Sequence, residues 1–322
     1  MPNLSLIIPV YNEEKNLPLL IDAIHTALAP VTCTWEVVLV DDGSEDSSLQ
    51  VLTDLAEKSP DHLRVISLRR NFGQTAAITA GLDKASGEII VLLDADLQND
   101  PADIPMLLEK LDEGYDLVSG WRKKRQDKYL TRTLPSNLAN MLISRVTGVP
   151  LHDYGCTLKA YRRDALEGFR IYGEMHRFIP VFAHALGARI TEVQVNHQPR
   201  KFGKTKYGLE RTLKVLLDLF TVKFLVSYSS KPIYLFGGAG LALVLGSSVM
   251  LLYLGVRRLL TDISILMSPI FPLAIMLLIM GFQSVLMGLI AELLVRTYYE
   301  SQRKPTYSVR KTVNLPEMNP EK

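Results

Sequence analysis

The sequence predicts an α/β fold built on a mostly parallel sheet, followed by interfacial helices and a two-helix transmembrane hairpin. Short, branched apolar runs alternate with helical stretches in the first part of the chain, and two long runs without charge lie near its C-terminus. The chain has 322 residues, 48% of them hydrophobic, and a mean hydropathy of +0.13, which excludes a disordered or collagen-like protein.

The first part of the chain alternates predicted strands with predicted helices. Because parallel strands need long crossover connections, usually helices, this alternation indicates a mostly parallel sheet covered on both faces. Ligands of such sheets bind at the carboxyl ends of the strands, where this chain carries polar residues. The predicted strands are Leu4–Val10, Glu36–Val40, Leu63–Leu68, Ile89–Leu93 and Tyr115–Ser119, and the predicted helices cover residues 16–29, 46–58, 74–85 and 102–113.

Two long uncharged runs predict the transmembrane hairpin. Pro232–Val256 has 25 residues without a charged side chain, and Ile263–Ala291 has 29. About 20 apolar residues are enough to span a bilayer, and only a short segment with Arg257 and Arg258 separates the two runs. The alternative, two buried helices of a soluble core, is disfavoured by the length of both runs and by this basic turn.

The outer ends of the hairpin carry more basic residues than the turn between the spans, so the positive-inside rule places the large domain and the tail in the cytoplasm. No signal peptide is visible. Residues 134–146 fit either an interfacial helix or a core-facing amphipathic helix. The predicted parts are a cytoplasmic catalytic domain over residues 1–207, an amphipathic interfacial helix over 208–230, two transmembrane helices within 231–296 (about 232–256 and 266–295) and a cytoplasmic tail over 297–322.

Charge is unevenly distributed along the chain. Residues 1–121 contain 7 Lys and Arg against 21 Asp and Glu, whereas residues 122–231 contain 21 against 8. The acidic part is suited to hold a cation, and the basic part is suited to meet an anion. Nucleic acid is disfavoured as a partner, because the basic part leads directly into the predicted membrane segment. The two cysteines are too few for a disulfide scaffold or a four-cysteine zinc site.

Carboxylates follow two of the predicted strands. Asp94 and Asp96 come directly after an apolar strand, and two carboxylates at this spacing can share one Mg²⁺ or Mn²⁺ ion that substrate phosphates complete. An ordinary acidic loop is the alternative. Asp42 follows the second strand and fits a base or ribose contact as well as it fits a cap for the next helix. A dehydrogenase is disfavoured, since the first strand is not followed by G-x-G-x-x-G.

Four motifs occur in order: Ile8-Pro-Val-Tyr-Asn-Glu-Glu14, Asp41-Asp-Gly-Ser44, Asn71-Phe-Gly73 and Asp94-Ala-Asp-Leu-Gln98. This set resembles the family 2 glycosyltransferases of GT-A fold. More narrowly it is similar to the polyprenyl-phosphate glycosyltransferases, which include dolichol-phosphate mannose synthase and bacterial undecaprenyl-phosphate glucose and aminoarabinose transferases. The resemblance covers about residues 4–310. At position 74 the chain departs from it, because Gln74 stands where several relatives carry Lys.

The resemblance implies site residues of four kinds. It implies a nucleotide-sugar site at Pro9, Tyr11, Glu13, Val40, Asp42, Asp94, Ala95, Gln98, Arg200 and Lys206. It implies a metal site for Mg²⁺ or Mn²⁺ at Asp94, Asp96 and Gln98. It implies catalytic roles for Asp96, Asp153 and Arg122, and a lipid-phosphate site at Arg132 and Ser136. Asp153 fits either a general base or a group that positions the acceptor.

The expected reaction is an inverting transfer of one sugar from a nucleotide-sugar donor to undecaprenyl or dolichyl phosphate. UDP-glucose is the default donor, with GDP-mannose or a UDP-amino-sugar as alternatives. The acceptor phosphate has a second pKa of about 6 and is largely a dianion at neutral pH, so no strong base is required. A processive polysaccharide synthase of the same fold is disfavoured, because neither tryptophan fits its Gln-x-x-Arg-Trp motif. The alternatives of other classes are a non-catalytic membrane scaffold and a transporter. The sequence leaves a homo-oligomer open.

Overall fold

The computed structural model describes residues 2–123, 134–167, 169, 171, 175–199, 219, 222, 233–261, 264–301 and 307–315. The chain forms two compact units. The first consists of Met1–Val222 together with Pro305–Lys322, and the second of Lys223–Lys304. The predicted interfacial helix over 208–230 lies outside the described residues, apart from Leu219 and Val222.

The first unit contains an eight-stranded mixed sheet in the order β7-β5-β6-β4-β1-β2-β3-β8. Its strands are β1 (Leu4–Val10), β2 (Trp35–Asp41), β3 (Leu63–Leu68), β4 (Ile89–Leu92), β5 (Leu117–Trp121), β6 (Lys159–Arg162), β7 (Ile190–Gln194) and β8 (Val309–Val313). Its described helices are α1 (Leu17–Leu28), α2 (Ser48–Lys58), α3 (Gln74–Lys84), α4 (Ile104–Asp112), α5 (Leu134–Thr147) and α6 (Ile179–Ala185).

The central strands are mostly apolar, as expected for a sheet whose two faces are both covered by helices. β1 pairs in parallel with β2 and with β4, and six of its seven residues are buried. The sheet, α1, α2 and α4 share one hydrophobic core that includes Ile8, Leu39 and Leu107. The mostly parallel sheet, all five predicted strands and all four predicted helices are confirmed, with ends shifted by one or two residues.

Three strands were not predicted. β6 runs antiparallel between β4 and β5, β7 pairs in parallel with β5, and β8 runs antiparallel to β3 at the edge. These strands have four or five residues and contain charged side chains, so they lack the apolar run that marked the others. β8 comes from the segment that the sequence analysis treated as tail. The chain therefore returns to the first unit after leaving the second.

The second unit consists mainly of two long helices, α7 (Ile233–Thr261) and α8 (Ile270–Ser301). Phe236–Thr261 and Ile270–Ile290 are long and apolar enough to cross a membrane, and 17% of an apolar 18-residue stretch in each is buried. Gly240 and Gly281 bring the two helix backbones together, since a Cβ on either residue would lie 2.6 or 2.7 Å from the carbonyl oxygen of the other. Ser284 adds a hydrogen bond to the Phe236 carbonyl at 2.8 Å. The two predicted apolar helices are confirmed.

Candidate active site

The loops after β1, β2, β4 and β5 meet at one edge of the sheet. β1, β2 and β4 are parallel, and β6 runs antiparallel to both β4 and β5, so these four strands end at the same edge. Asp42 directly follows β2, Arg122 directly follows β5, and Asp94 is the second residue after β4. The loop that carries Asp153 enters β6 at this edge as well. The described residues of the predicted nucleotide-sugar and metal sites therefore lie on adjacent strand ends.

Side-chain hydrogen bonds join the loops after β1 and β2. The Asn12 backbone N–H donates to Ser44 Oγ at 3.0 Å, and the Glu45 backbone N–H donates to Asn12 Oδ1 at 2.8 Å. Gly43 has a φ of 67°, and a Cβ there would lie 2.4 Å from the Arg70 carbonyl carbon, so the turn requires glycine. Tyr11 and Glu13 stand half-buried on this joined pair of loops.

Asp42 is buried and organises the neighbouring loop. Its two carboxylate oxygens accept hydrogen bonds from the backbone N–H groups of Phe72 and Gly73, at 2.7 and 2.9 Å. Burial raises the pKa of Asp42, and the two backbone hydrogen bonds oppose that rise. The alternative that Asp42 caps the following helix is wrong, because α2 begins at Ser48, whose N–H donates to Asp46. Its predicted contact with a base or ribose stays a prediction.

Asp94 is clamped by two side chains. Gln74, the first residue of α3, donates its amide to Asp94 Oδ1 at 2.8 Å, and Thr157 donates its hydroxyl to Oδ2 at 2.6 Å. Burial, and then the negative charge of Asp96, raise the pKa of Asp94 to about 6. Two carboxylates held this close are more stable beside a cation, and carboxylate oxygens are ligands that Mg²⁺ and Mn²⁺ accept. The pair therefore fits a divalent metal.

Asp96 is buried at the turn that follows β4, with 8% of its surface exposed. The next residue, Leu97, has a φ of 58°, a conformation that non-glycine residues seldom adopt and that recurs at functional sites. In this turn the Gln98 backbone N–H donates to Asp96 Oδ1 at 3.1 Å. Among the described residues no three His, Cys, Asp or Glu side chains form a metal cluster.

Arg122 and Asp153 form a buried ion pair. Arg122 Nε donates to Asp153 Oδ2 at 2.8 Å and Nη2 donates to Oδ1 at 3.1 Å. The side chains are 14% and 3% exposed. Although burial alone would lower the pKa of Arg122, the charge of Asp153 raises it overall, so the guanidinium stays charged. Asp153 also accepts the Gly155 backbone N–H at 3.1 Å. With both oxygens engaged, Asp153 is better placed to orient Arg122 than to remove a proton.

Comparison with known proteins identifies the family. Residues 5–169 match the model of glycosyl transferase family 2. The chain belongs to that family. This glycosyltransferase is 42% identical over 310 residues to dodecaprenyl-phosphate galacturonate synthase of Rhizobium johnstonii. The aligned region covers 95% of this chain and 92% of the relative. It is 40% identical over 316 residues to undecaprenyl-phosphate 4-deoxy-4-formamido-L-arabinose transferase of Yersinia pestis, covering 96% and 93% of the two chains.

A solved structure shares the fold of the glycosyltransferase. Glucosyl-3-phosphoglycerate synthase of Mycobacterium tuberculosis, in complex with Mn²⁺, uridine diphosphate and glucosyl-3-phosphoglycerate, aligns with a TM-score of 0.50 and 21% identity. The alignment covers 70% of this chain and 80% of the other. The GT-A-like fold and membership of the polyprenyl-phosphate group, expected from the sequence motifs, are thereby confirmed, and so is the enzyme class.

The described structure accounts for part of the predicted site of the glycosyltransferase. Ser136 lies half-buried in the first turn of α5. Arg132, Arg200 and Lys206 lie outside the described residues, so their predicted roles stay predictions. Sequence reasoning missed Thr157 as the second partner of Asp94. Thr157 directly follows the segment Asp153–Cys156, which begins with the aspartate that the sequence analysis singled out, but nothing in the sequence links it to Asp94.

Proposed function

We propose that this glycosyltransferase moves one sugar from a nucleotide donor to a polyprenyl phosphate at a membrane surface. The observation that carries the proposal is the identity of 42% and 40% to two polyprenyl-phosphate enzymes over nearly the whole chain, helices α7 and α8 included. The strand-end site supports it, because adjacent carboxylates and a charged arginine suit a substrate with a diphosphate.

The donor that we propose is a nucleotide-linked galacturonate, the sugar named in the relative with 42% identity. A nucleotide-linked 4-deoxy-4-formamido-L-arabinose is the second candidate, supported by the relative with 40% identity. UDP-glucose, the default of the sequence analysis, has the weaker support of a structure with 21% identity. Uridine diphosphate is the nucleotide that we expect, since that structure contains it.

In the proposed reaction an oxygen of the lipid phosphate attacks the anomeric carbon as the bond to the diphosphate breaks. A single displacement inverts that carbon. The acceptor phosphate is largely a dianion at neutral pH, with a second pKa of about 6, so the attack needs no strong base. Asp153 then acts by holding Arg122, whose guanidinium offers positive charge to the phosphates. Asp42 fixes the loop around Phe72 and Gly73 beside the predicted nucleotide site.

Asp94 and Asp96 would hold the divalent metal, with Gln98 beside them as the sequence analysis proposed. When bound, the metal neutralises charge that builds on the leaving diphosphate. The chain's own contribution is orientation. Gln74 and Thr157 fix the carboxylate plane of Asp94, and the turn at Leu97 directs Asp96. Mg²⁺ and Mn²⁺ both prefer oxygen ligands, and the proposal includes either ion.

We also propose that the first unit lies in the cytoplasm and that α7 and α8 span the membrane. Strand β8 follows α8 in the chain and belongs to the same unit as β1, so two spans return the chain to the side that it left. Helix α5 exposes Leu138, Met141 and Leu142, by 59%, 67% and 42%, which favours the interfacial alternative for residues 134–146. The positive-inside rule identifies that side as cytoplasmic.

The test uses purified protein in detergent with undecaprenyl phosphate, Mn²⁺ or Mg²⁺, and a panel of labelled nucleotide sugars, each with and without EDTA. We expect EDTA-sensitive label in the lipid phase from a nucleotide galacturonate. Asp96→Ala should abolish this label, whereas Asp54→Ala, which changes an exposed carboxylate on α2, should retain it. A fully active Asp96→Ala protein would contradict the metal assignment. Absence of lipid label with every donor would contradict the proposed reaction.

A further inference from the structure

Lys159, the first residue of β6, is a buried lysine that the reaction above does not use. It is 3% exposed and lies between Leu92 of β4 and Ser119 of β5 in the sheet register. In the part of the chain that the structure describes, its ammonium group forms no ion pair with a carboxylate. Burying an ammonium group costs several kcal/mol unless polar groups replace its water.

Backbone carbonyls replace that water. Lys159 Nζ donates to the carbonyl oxygens of Tyr154, at 3.2 Å, and of Cys156. Both belong to residues 153–158, which we call the β6 entry loop. The ammonium group therefore links two carbonyl groups of this loop that are two residues apart in the chain. No other described lysine is buried.

The β6 entry loop carries contacts to two other strand ends. Asp153 at its start holds Arg122 at the end of β5, and Thr157 near its end holds Asp94 after β4. The loop is also packed against β5, since the Gly120 N–H donates to the Leu158 carbonyl at 2.9 Å and a Cβ on Gly120 would lie 2.8 Å from that oxygen. Lys159 is thus bonded to the segment from which both contacts arise.

We propose that Lys159 is a positioning residue for glycosyl transfer. It holds the β6 entry loop in place, so that Asp153 contacts Arg122 and Thr157 contacts Asp94. This inference rests on the proposed function for its kinetic consequence, but its structural consequence is independent of donor and acceptor. The act of positioning needs hydrogen-bond donors directed at two carbonyls. An amide at position 159 can supply two donors, whereas a thioether of similar length supplies none.

Trp121 gives a readout that needs no substrate. Its ring stacks on His152, next to the loop, with centroids 4.4 Å apart, and the chain has one other tryptophan, Trp35. The experiment uses full-length Trp35→Phe protein in detergent, with acrylamide quenching of Trp121 fluorescence and transfer kinetics with the active donor. The variants are Lys159→Met, Lys159→Gln and, as control, Lys110→Met, which removes an exposed lysine paired with Glu113.

We expect Lys159→Met to increase the quenching of Trp121 and to lower kcat about 100-fold, as a small misplacement of reacting groups does. Lys159→Gln should restore quenching to the control value and recover at least about tenfold of kcat, because it keeps two donors. KM for the lipid should change little in either variant. Lys110→Met should match the parent in every measurement.

Unchanged Trp121 quenching in Lys159→Met would overturn the proposal, and so would a Lys159→Gln protein whose kcat and Trp121 quenching both equal those of Lys159→Met. If Lys159→Met does not fold, Lys159→Ala takes its place, because the shorter side chain leaves room for water at both carbonyls. A folded Lys159→Ala protein with parental quenching would overturn the proposal. If no donor is active, the quenching result still decides the structural part, so failure of the proposed function is recognised separately.

Discussion

Gln74 donates a hydrogen bond to Asp94 Oδ1 at 2.8 Å, from the first residue of α3 to the turn that follows β4. The partner is a neutral amide. Positive charge near Asp94 comes instead from Arg122 and Lys159, both of which lower its pKa against the larger effect of burial. Gln74 therefore orients the carboxylate without adding positive charge of its own, which suits a site that receives a metal.

Replacing Gln74 by Leu should reduce transfer at least about tenfold, because loss of one hydrogen bond to a carboxylate costs about 1.5 kcal/mol or more and the freed carboxylate can rotate. The measurement is kcat/KM at saturating metal, together with the metal concentration that gives half-maximal rate, which should rise. Gln50→Leu is the matched control, since Gln50 donates the same kind of hydrogen bond to Asp54 at 2.8 Å on the exposed face of α2. Equal activity of the two variants would show that the Asp94 contact is dispensable.

The Arg122–Asp153 pair makes a different prediction about roles. If Asp153 acts through Arg122, Asp153→Asn and Arg122→Met should each lower kcat strongly, and the double variant should be little worse than either alone. Removing one member of a buried pair leaves the other charge without compensation, at a cost of about 3–5 kcal/mol, so folding is checked by thermal unfolding in detergent. Additive losses of activity would instead support Asp153 as an independent base.

The sequence predicted five of the eight strands of the sheet, those whose apolar runs alternate with helices. It also predicted the carboxylates at the strand ends, because local sequence determines both features. It did not predict β6, whose four residues include Lys159 and Arg162, because that strand is specified by its neighbours β4 and β5. The partner of Asp94 at Thr157 is 63 residues distant in the chain, and no local pattern reports such a contact.

The helical hairpin makes a prediction about packing. Gly240→Leu should destabilise the α7–α8 pair by about 1–3 kcal/mol, the usual cost of inserting atoms into a closely packed contact. Gly238→Leu is the matched control, two residues away on the same helix, because a Cβ there meets nothing within 4 Å. Thermal stability of the purified protein in detergent, followed by size-exclusion chromatography after heating, measures the difference. Equal midpoints for the two variants would contradict the contact between Gly240 and Gly281.

His176 makes the stability of the first unit depend on pH. Its ring is 7% exposed, and its Nδ1 shares a hydrogen bond with the Thr75 hydroxyl at 2.7 Å. Burial, and then the positive charges of Arg177 and Lys159, lower the pKa of His176 well below its usual value. The unfolded chain binds a proton at a pKa of about 6.5, which the folded protein does not bind until lower pH, so unfolding is favoured as pH falls below about 6.5.

We therefore expect the thermal midpoint of the parent protein to decrease between pH 7.5 and pH 5.5, and that of His176→Gln to decrease less. Glutamine keeps a hydrogen-bonding group near Thr75 and does not titrate, so the difference between the two proteins isolates this histidine. His184→Gln is the control, because His184 is exposed and should leave the pH dependence as it is in the parent. Parallel curves for the parent and His176→Gln would show that His176 does not govern the loss of stability in acid.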